Sequence, residues 1–399
     1  MSDAKVWVGL DLGQKLTNVC VVDDEGVELL QRQCETGPGP IEESLAAFGR
    51  GCIALVAVET GNDLHIVRKL RQAGFPVAMF ESRKASKFLA LRRNKTDASD
   101  ARGLADLGRL GRHAVSQVHL KSLECQRNRG LLVMRKRLVM MRVAAENTLR
   151  SRLALNGRRL KPSYGLGALR RQVATELDAL KADDGIDLHA DLEPLVDLCE
   201  SARSYIRELD REVGRIVKAN EVCRLLMGIP GVGPICALSF YSAIETPDRF
   251  ARPSDVAAYL GLTPRRHQSG GKSRTRGITK TGSKLTRSHL VTAATVFANT
   301  APDCPLKRWF LALRERAGSM RARVALARKL AVMMAAMWKN GTPFDPLRPA
   351  APPRSMSALK AVVQSTSVGS TSVPHNATVC TVRPAQIIHP SERVARFLS

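Results

Sequence analysis

Aromatic side chains are scarce in this sequence, at 4% of the residues. Proteins that bind single-stranded nucleic acid by base stacking need several aromatic platforms, so stacking is excluded as the main binding device. Acids are also few, with 37 Asp and Glu against 62 Lys and Arg, and the net charge is +25. This excess predicts a polyanionic partner, and nucleic acid is the partner we expect. The alternative is a basic protein that is merely soluble.

The sequence also lacks a Cys-x-x-Cys pair and a long uncharged apolar run. Its nine cysteines are odd in number and scattered, which argues against a disulfide framework or a structural zinc site and predicts reduced thiols in a cytosol. The polar start Met1-Ser2-Asp3 does not fit a signal peptide. No apolar run approaches the roughly 20 residues that span a bilayer. We therefore expect a cytoplasmic, nucleoid-associated protein without a membrane partner.

A chain of 399 residues exceeds one ordinary core, so several domains are expected. The composition predicts an α/β domain over 5–112, a helical coiled-coil region over 113–220, a mainly helical domain over 221–346 and a disordered tail over 347–399. The tail is rich in Pro and Ala and then in Ser, Thr and Val, without a sustained period.

Two apolar runs in the first region end in a carboxylate. Val6–Gly13 predicts a buried strand with Asp11 near its end, and Ile53–Val58 predicts another that is followed by Glu59. A buried Asp11 requires a cation or hydrogen-bond donor, and Gly9 and Gly13 leave room for close approach to the backbone. Further elements are predicted at Asn18–Val22, Val27–Gln31, Asn62–Ala73 (a helix) and Phe75–Phe80. This alternation favours a largely parallel or mixed sheet covered by helices.

Asp97 and Asp100 are spaced to share one face of a helix that Thr96 or Asp97 would cap. Acids in a first turn are stabilised by the helix dipole. The spacing therefore allows two interpretations: Asp97 and Asp100 form a functional pair of carboxylates, or they are ordinary acidic residues at the start of a helix.

The middle region contains two seams with spacings of three and four. The seam positions are Leu131, Met134, Leu138, Met141, Ala145 and Thr148, and then Leu195, Leu198, Ala202, Tyr205 and Leu209. They predict long helices that pair as an antiparallel hairpin or as a coiled coil with another subunit. Between them, Gly157–Gly185 predicts a loop with short helices. The basic stretch Lys121–Lys161 favours either contact with phosphates or a solvated face.

Two later stretches predict phosphate contacts. Gly228–Pro234 resembles the turn of a helix-hairpin-helix unit, in which Gly231 and Gly233 would present backbone N–H groups to DNA; a plain interhelical turn is the alternative. Leu262–Arg287 contains no acid and predicts a mobile basic loop. Its candidate phosphate ligands are Arg265, Arg266, Lys272, Arg274, Arg276 and Lys280. Composition alone favours a phosphate clamp over attack by the hydroxyl of Ser269. Further on, Met333, Met334 and Met337 are expected to fill a core.

The order of the four acids suggests one site. In an RNase H-like fold the first and fourth strands are neighbours and a later helix packs against them, which would converge Asp11, Glu59, Asp97 and Asp100 on a pair of Mg²⁺ ions. Two such ions need several carboxylate oxygens plus phosphate, and they stabilise the attacking and leaving oxygens of a phosphoryl transfer.

Several motifs occur in a characteristic order, namely VGLDLG, VAVETG, NKTDASDA, GIPGVGP, YLGLTPRRHQSGGKSRTRG and GSKLTRSHLVTAA. They resemble the DEDD-type insertion-sequence transposases, a family that includes Piv-like DNA invertases and bridge-RNA-guided recombinases. The resemblance covers most of residues 5–345. It implies an N-terminal RuvC-like domain, a dimerising coiled coil and a C-terminal transposase domain. It also implies that Asp11, Glu59, Asp97 and Asp100 bind metal and that Ser269 attacks DNA to form a 5′-phosphoserine.

The leading hypothesis is a transposase with Mg²⁺ as cofactor and DNA as substrate, acting as a homodimer or tetramer and guided by an RNA in the manner of some relatives. One alternative is a RuvC-like junction resolvase or nuclease in which water is the nucleophile and Ser269 only binds phosphate. The other is a non-enzymatic nucleic-acid-binding protein whose acids are only helix caps and strand ends.

Overall fold

The computed structural model describes residues 5–61, 63–90, 96–111, 115, 117–163, 165–269 and 272–347, with the backbone alone over 266–269 and 272–276. Contacts divide the chain into one unit over 1–346 and another over 347–399. The predicted disordered tail lies outside the described residues apart from Leu347. Within the described ranges, no helix has both the length and the apolar character needed to cross a membrane.

A mixed six-stranded sheet organises the first third of the chain. Its strands, in chain order, are β1 (Val6–Leu12), β2 (Leu16–Val22), β3 (Glu28–Glu35), β4 (Ile53–Glu59), β5 (Val77–Phe80) and β6 (Gln117–Val118). Their spatial order is β3-β2-β1-β4-β5-β6. The first three strands form an antiparallel meander, β4 runs parallel to β1, and β5 runs parallel to β4. The predicted mixed α/β region is confirmed, and this order is compatible with an RNase H-like fold.

Helices cover both faces of this sheet. They are α1 (Pro38–Ser44), α2 (Leu64–Gln72), α3 (Ser82–Leu89) and α4 (Asp97–Leu110). On one face, the apolar side of α2 packs with the buried Val8 and Leu10 of β1. On the other, Ala101 and Ala105 of α4 pack with Trp7. Burial on both faces explains why β1 is a continuous apolar run rather than an alternating one.

The middle region is an antiparallel pair of long helices with a third helix between them in sequence. These are α5 (Leu123–Leu155), α6 (Ala168–Asp184) and α7 (His189–Ala219). The antiparallel direction follows from the ion pairs Arg135–Asp210 and Glu146–Arg203, whose numbers rise along α5 and fall along α7. The expected loop over Gly157–Gly185 is confirmed only before α6, for 157–163 and 165–167, and the expected short helices are wrong. Leu169, Val173, Leu177 and Leu180 are spaced by three and four and are buried on one side of α6, so 17 residues form one helix.

Only part of the predicted seam lies inside this helical pair. Leu131, Ala145 and Ala202 are buried, whereas Met134, Met141, Thr148, Leu198 and Tyr205 are exposed. The seam pattern therefore combines an internal face with an external one. The predicted coiled coil with a second subunit stays a prediction.

The last third is mainly helical, as expected. Its elements are α8 (Glu221–Met227), α9 (Pro234–Ile244), α10 (Pro253–Tyr259), β7 (Pro264–Ser269), β8 (Lys272–Ile278), α11 (Lys284–Thr300), α12 (Pro305–Ala317) and α13 (Ser319–Asn340). One large apolar cluster joins these helices to parts of α5 and α7. Met334 and Met337 are buried in it and Met333 packs against it, which confirms their predicted role as core residues.

The predicted mobile basic loop is instead a β-hairpin. β7 and β8 pair antiparallel, with Ser269 opposite Lys272 and His267 opposite Arg274. The two residues between the strands, Gly270 and Gly271, lie outside the described residues. The amide groups of an extended basic segment are satisfied when it folds back on itself, and a Gly-Gly pair is a favoured two-residue hairpin connection. Composition therefore identified a basic segment but missed its pairing.

Candidate functional site

Asp11 and Glu59 end two neighbouring parallel strands. Leu10 of β1 lies opposite Val58 of β4 in the ladder, so the two carboxylates follow at adjacent positions. Both residues are half-buried. Because side chains alternate along a strand, Asp11 lies on the same side of the sheet as Gly9, and Glu59 on the same side as Ala57. That is the side covered by α4, which packs on both Gly9 and Ala57.

A cavity of about 210 Å³ opens at these strand ends. It is lined by Asp11, Leu12, Glu59, Thr60, Gly61, Asp63, Leu64, Val67 and Met79. Its polar lining comes from carboxylates and one threonine, and its apolar lining comes from α2 and β5. The cavity is therefore an acidic recess with a hydrophobic floor.

The rim of this recess is held by hydrogen bonds between the segments that follow β4 and β5. Ser82 Oγ donates to the Thr60 carbonyl at 2.7 Å, and the Ser82 backbone N–H donates to Thr60 Oγ1 at 3.2 Å. The Thr60 N–H in turn donates to the Phe80 carbonyl at 2.9 Å. These bonds hold the chain directly after Glu59 against the end of β5. Both β4 and β5 therefore position the Glu59 carboxylate.

Asp63 is an acid of this recess that the sequence did not single out. It precedes α2, where an aspartate is expected to cap the helix with its side chain. The structure has no such side-chain cap hydrogen bond at Asp63, and its carboxylate lines the cavity with Asp11 and Glu59. The sequence could have indicated Asp63, because it lies only four residues after Glu59 and so must remain near the end of β4.

Asp97 and Asp100 lie in the first turn of α4, which Thr96 and Ser99 hold by a reciprocal capping box. The capping role of Thr96 is confirmed. A Cβ on Gly9 would lie 2.0 Å from the carbonyl oxygen of Ala101, so α4 and β1 are in backbone contact. Farther along α4, Gly108 contacts Leu55 and Arg109 donates to the Asp24 carbonyl. The helix thus runs against β1, and its acidic first turn lies toward the end that carries Asp11.

The structure therefore brings Asp11 and Glu59 together and directs Asp97 and Asp100 toward the same end and face of the sheet. Within the described residues, no group of three or more His, Cys, Asp or Glu side chains is close enough to hold a metal ion. The residues present still fit magnesium, because Mg²⁺ is commonly held by one or two carboxylates plus water and substrate phosphates. Convergence of all four acids on metal stays a prediction.

The predicted phosphate ligands lie in three places: the hairpin, the turn after β8 that contains Lys280, and the turn between α8 and α9. Arg265 is exposed near the start of β7 and lies opposite Arg276 in the strand register. Arg266 lies opposite Thr275, and Ser269 is the last residue of β7. The side chains of Arg266, Ser269, Lys272, Arg274 and Arg276 lie outside the described residues. Lys280 is exposed and adopts a positive φ of 58°, which is uncommon for a residue with a side chain. Its N–H donates to the Gly261 carbonyl, which folds the exit of the hairpin against α10.

The predicted helix-hairpin-helix turn lies between α8 and α9. Gly231 has φ of +84°, and a Cβ there would lie 2.6 Å from the Ala293 carbonyl oxygen and from the Phe297 amide nitrogen. Packing against α11 is therefore a sufficient reason for glycine at this position. Gly233 has no such neighbour within 4 Å. Contact of either glycine with phosphate stays a prediction.

A junction between the segment after β6 and the end of α9 was also missed. The Lys121 ammonium donates to the carbonyls of Ser242, at 2.7 Å, and Ala243. Burial lowers the pKa of Lys121 to about 8. Glu245, with a φ of 66°, accepts hydrogen bonds from the Ser122 N–H at 2.6 Å and from His119. Burial acts to raise the pKa of Glu245, but these hydrogen bonds lower it below its usual value.

Comparison with known proteins identifies relatives along most of the chain. A family model described as a DEDD-type IS110 transposase matches residues 8–156, and one described as the transposase IS116/IS110/IS902 family matches 223–306. The chain is 28% identical over 345 residues to the transposase for insertion sequence element IS1111A of Coxiella burnetii, covering 84% of this chain and 90% of that protein.

Two other relatives bear on function. A putative transposase of Sinorhizobium fredii, y4pF/y4sB, is 30% identical over 317 residues, which covers 77% of this chain and 78% of that protein. The pilin gene-inverting protein of Moraxella bovis is 29% identical over 147 residues, or 35% of this chain and 45% of that protein.

Proposed function

Because this chain belongs to the IS116/IS110/IS902 family of transposases, we propose that it cuts and rejoins DNA at a site built around Asp11 and Glu59. The observation that carries the proposal is the adjacency of these carboxylates at the ends of two paired parallel strands, on the wall of one recess. Neighbouring carboxylates on the wall of one recess favour a divalent cation as its occupant. We infer that the sheet is an RNase H-like domain.

In this proposal Asp11 and Glu59, with Asp97 and Asp100 from α4, hold Mg²⁺. When bound there, Mg²⁺ would supply the charge that polarises the scissile phosphate and stabilises the oxygens of the phosphoryl transfer. The protein's own contribution is orientation. The backbone contact between Gly9 and α4 fixes the acidic helix end against β1, and the Thr60–Ser82 hydrogen bonds fix the segment after Glu59.

The proposed nucleophile is the Ser269 hydroxyl. Its oxygen attacks phosphorus, the bond from phosphorus to the DNA 3′ oxygen breaks, and the 3′ oxygen leaves with the proton. The product is a 5′-phosphoserine, which a second 3′-hydroxyl reverses in the rejoining step. Residues two apart in a strand and residues directly opposite share one face of a ladder. Positions 265, 267 and 269 therefore share a face with 272, 274 and 276, which would surround the serine position with basic residues.

We further propose that the active form is an oligomer that assembles through α5. Val133, Met134, Met140 and Met141 are each at least 40% exposed on this helix. A contiguous set of exposed apolar side chains on a helix of 33 residues favours burial against another chain. A second copy is one of the two partners that the seam spacing predicts, the other being the antiparallel helix α7 of the same chain. Binding of a guide RNA stays a prediction from the family resemblance.

The decisive experiment measures recombination on a plasmid that carries the coding sequence with its flanking DNA. Asp11→Asn and Glu59→Gln are expected to lower strand exchange by about 10²-fold or more, since each removes a charge at the reacting phosphate. Glu25→Gln is the matched control, because Glu25 is an exposed acid in a turn of the same domain. Strand exchange at the wild-type rate in Asp11→Asn would overturn the acidic site.

The serine is tested by trapping protein on labelled DNA ends. Ser269→Ala is expected to abolish both strand exchange and the covalent adduct on the 5′ end while leaving DNA binding nearly unchanged. Ser273→Ala, on the facing strand, is the control and should retain the adduct. Cleaved DNA without any adduct in the wild type would instead favour the junction resolvase or nuclease with water as nucleophile.

A further inference from the structure

The corner between α12 and α13 is a strongly basic surface of the described residues. The two helices are joined by Gly318 alone, which has φ of +85°. Their apolar sides are buried in the C-terminal core through residues such as Phe310 and Leu326. Their outer sides are consequently held in a defined orientation. None of the motifs that carry the family resemblance lies in these two helices, and neither helix lines the acidic recess.

The charges of this corner are nearly all positive. From 304 to 344 the only acid is Glu315. The bases in that range are Lys307, Arg308, Arg314, Arg316, Arg321, Arg323, Arg328, Lys329 and Lys339. Arg314, Arg316, Arg321 and Arg328 are exposed, and we call these four the corner arginines.

Several arginines on other described surfaces are paired with acids of the same chain. Arg170 pairs with Glu193 and Asp197, and Arg215 forms a bidentate contact with Glu212. Within the part of the chain that the structure describes, none of the corner arginine side chains has a hydrogen bond or an ion pair to a protein group. Of the charged residues around them, Arg308 is neutralised by Asp303 at 2.6 Å and Lys329 stacks on Trp309. The corner arginines therefore carry positive charges that no ion pair with a described acid compensates.

The position of Arg321 near the start of α13 destabilises this helix in the absence of an anion. Arg321 is the third residue of α13, whose first turn contains no acid and which lacks a side-chain cap. Cations at a helix N-terminus oppose the helix dipole by about 0.3–1 kcal/mol. The described helices α4, α5 and α8 instead carry acids in their first turns. A bound anion would reverse this unfavourable interaction.

The spacing of the arginines fits an extended anion rather than a single one. Arg321 and Arg328 are seven residues apart, so they point from the same face of α13 and are separated by about 10 Å along its axis. Arg314 and Arg316 lie across the corner in the last turn of α12. Duplex DNA presents one charge per about 1.7 Å of its axis, so several phosphates lie within that span.

We propose that the corner arginines bind the phosphate backbone of duplex DNA, as a surface separate from the hairpin and the acidic recess. The choice of DNA rests on the proposed function, which requires a DNA duplex. The contacts are to phosphates, so they hold and orient the substrate without reading its sequence.

The test uses the full chain and a short fluorescent DNA duplex of arbitrary sequence, with anisotropy measured over a series of salt concentrations. Arg321→Gln/Arg328→Gln is the test variant, and Arg314→Gln/Arg316→Gln tests the other side of the corner. Arg170→Gln/Arg215→Gln removes the same number of charges from paired arginines and is the control.

Each corner variant is expected to bind the duplex about tenfold more weakly and to lower the slope of log affinity against log salt by about 2, since each lost phosphate contact contributes about 0.9. The thermal stability of Arg321→Gln/Arg328→Gln should equal or exceed that of the wild type, because Arg321 opposes the dipole of α13. Arg314→Gln/Arg316→Gln should be slightly less stable than the wild type, because both arginines lie in the favourable last turn of α12. The proposal is overturned if the corner variants bind DNA as well as the control does, or if they weaken binding to an RNA duplex alone.

These outcomes are separable from failure of the proposed function. Asp11→Asn and Ser269→Ala should bind the fluorescent duplex like the wild type while losing strand exchange. If those variants recombine DNA normally, the acidic site and the serine are wrong, and the binding result for the corner arginines still stands.

Discussion

At the scale of single residues, Gly9 determines how closely α4 approaches β1. It lies two positions before Asp11 in β1, and its missing side chain lets the backbone of α4 reach the strand. A Cβ at Gly9 would lie 2.0 Å from the Ala101 carbonyl oxygen and 2.4 Å from the Ala105 nitrogen. Since both neighbours are backbone atoms of a helix, neither can turn aside as a flexible side chain would. The distance between the acidic helix end and Asp11 therefore depends on this glycine.

Gly9→Ala is expected to lower the free energy of unfolding by about 1–3 kcal/mol or more, because the helix must move away from the sheet. Gly130→Ala is the control, since Gly130 lies inside α5 with nothing within 4 Å of its Cβ position. That control should gain about 0.5–1 kcal/mol from better helix propensity. Urea denaturation measures both. Equal stability of Gly9→Ala and the wild type would show that α4 is not pressed against β1.

At the scale of elements, the end of α9 is held by residues that precede α5. The last carbonyls of a helix have no partner within the helix, and two of those of α9 accept from the Lys121 ammonium. Next to them, Glu245 adopts a positive φ and bonds to Ser122 and His119. The strained backbone of Glu245 is thus held by its own side chain. This junction ties the end of α9 to the segment between β6 and α5.

The Lys121 junction predicts a dependence of stability on alkaline pH. The pKa of Lys121 is lowered from 10.5 to about 8 by burial, so between these values the unfolded chain binds more protons than the folded one. The free energy of unfolding of the wild type should therefore rise relative to Lys121→Met as pH increases from 8 to 10.5, by up to about 3 kcal/mol. Urea denaturation of both proteins at several pH values measures the difference. A constant difference would contradict the buried ammonium.

At the scale of the whole molecule, α5 takes part in two cores and keeps one face outside both. Leu131 and Leu132 belong to the C-terminal core, whereas Leu149 and Leu153 belong to the core shared with α6 and α7. On its outer face, Met140 is 52% exposed and Met141 is 49% exposed. A helix that joins two cores is rigid, and a rigid apolar face is well suited to pair with a copy of itself.

Met140→Lys/Met141→Lys is expected to raise the dissociation constant of the oligomer by about thirtyfold, since two apolar contacts at the centre of the proposed interface are worth about 2 kcal/mol. Thr175→Lys/Ala182→Lys adds the same charge to exposed positions of α6, outside the proposed interface, and is the control. Sedimentation velocity over a range of concentrations measures the assembly. A wild type that stays monomeric at all concentrations would refute self-association through α5.

The sequence alone determined the features that depend on local pattern. Apolar runs that end in Asp11 and Glu59 predicted buried strands because a strand covered on both faces needs apolar side chains at successive positions. Thr96 predicted the start of α4 because a hydroxyl satisfies the free N–H groups of a helix end. Motif order led to the transposase family, because local motifs keep their order whatever their spatial arrangement.

Only the tertiary structure decided the features that depend on contacts between distant residues. The pairing of β1 with β4 puts Asp11 beside Glu59, the approach of α4 explains Gly9, and the fold-back of β7 on β8 turns a basic stretch into a hairpin. The seam of α5 shows the reason most clearly. Leu131 and Met134 have the same apolar character and fit the same spacing, yet one is buried and the other exposed, because burial depends on which neighbours the fold provides.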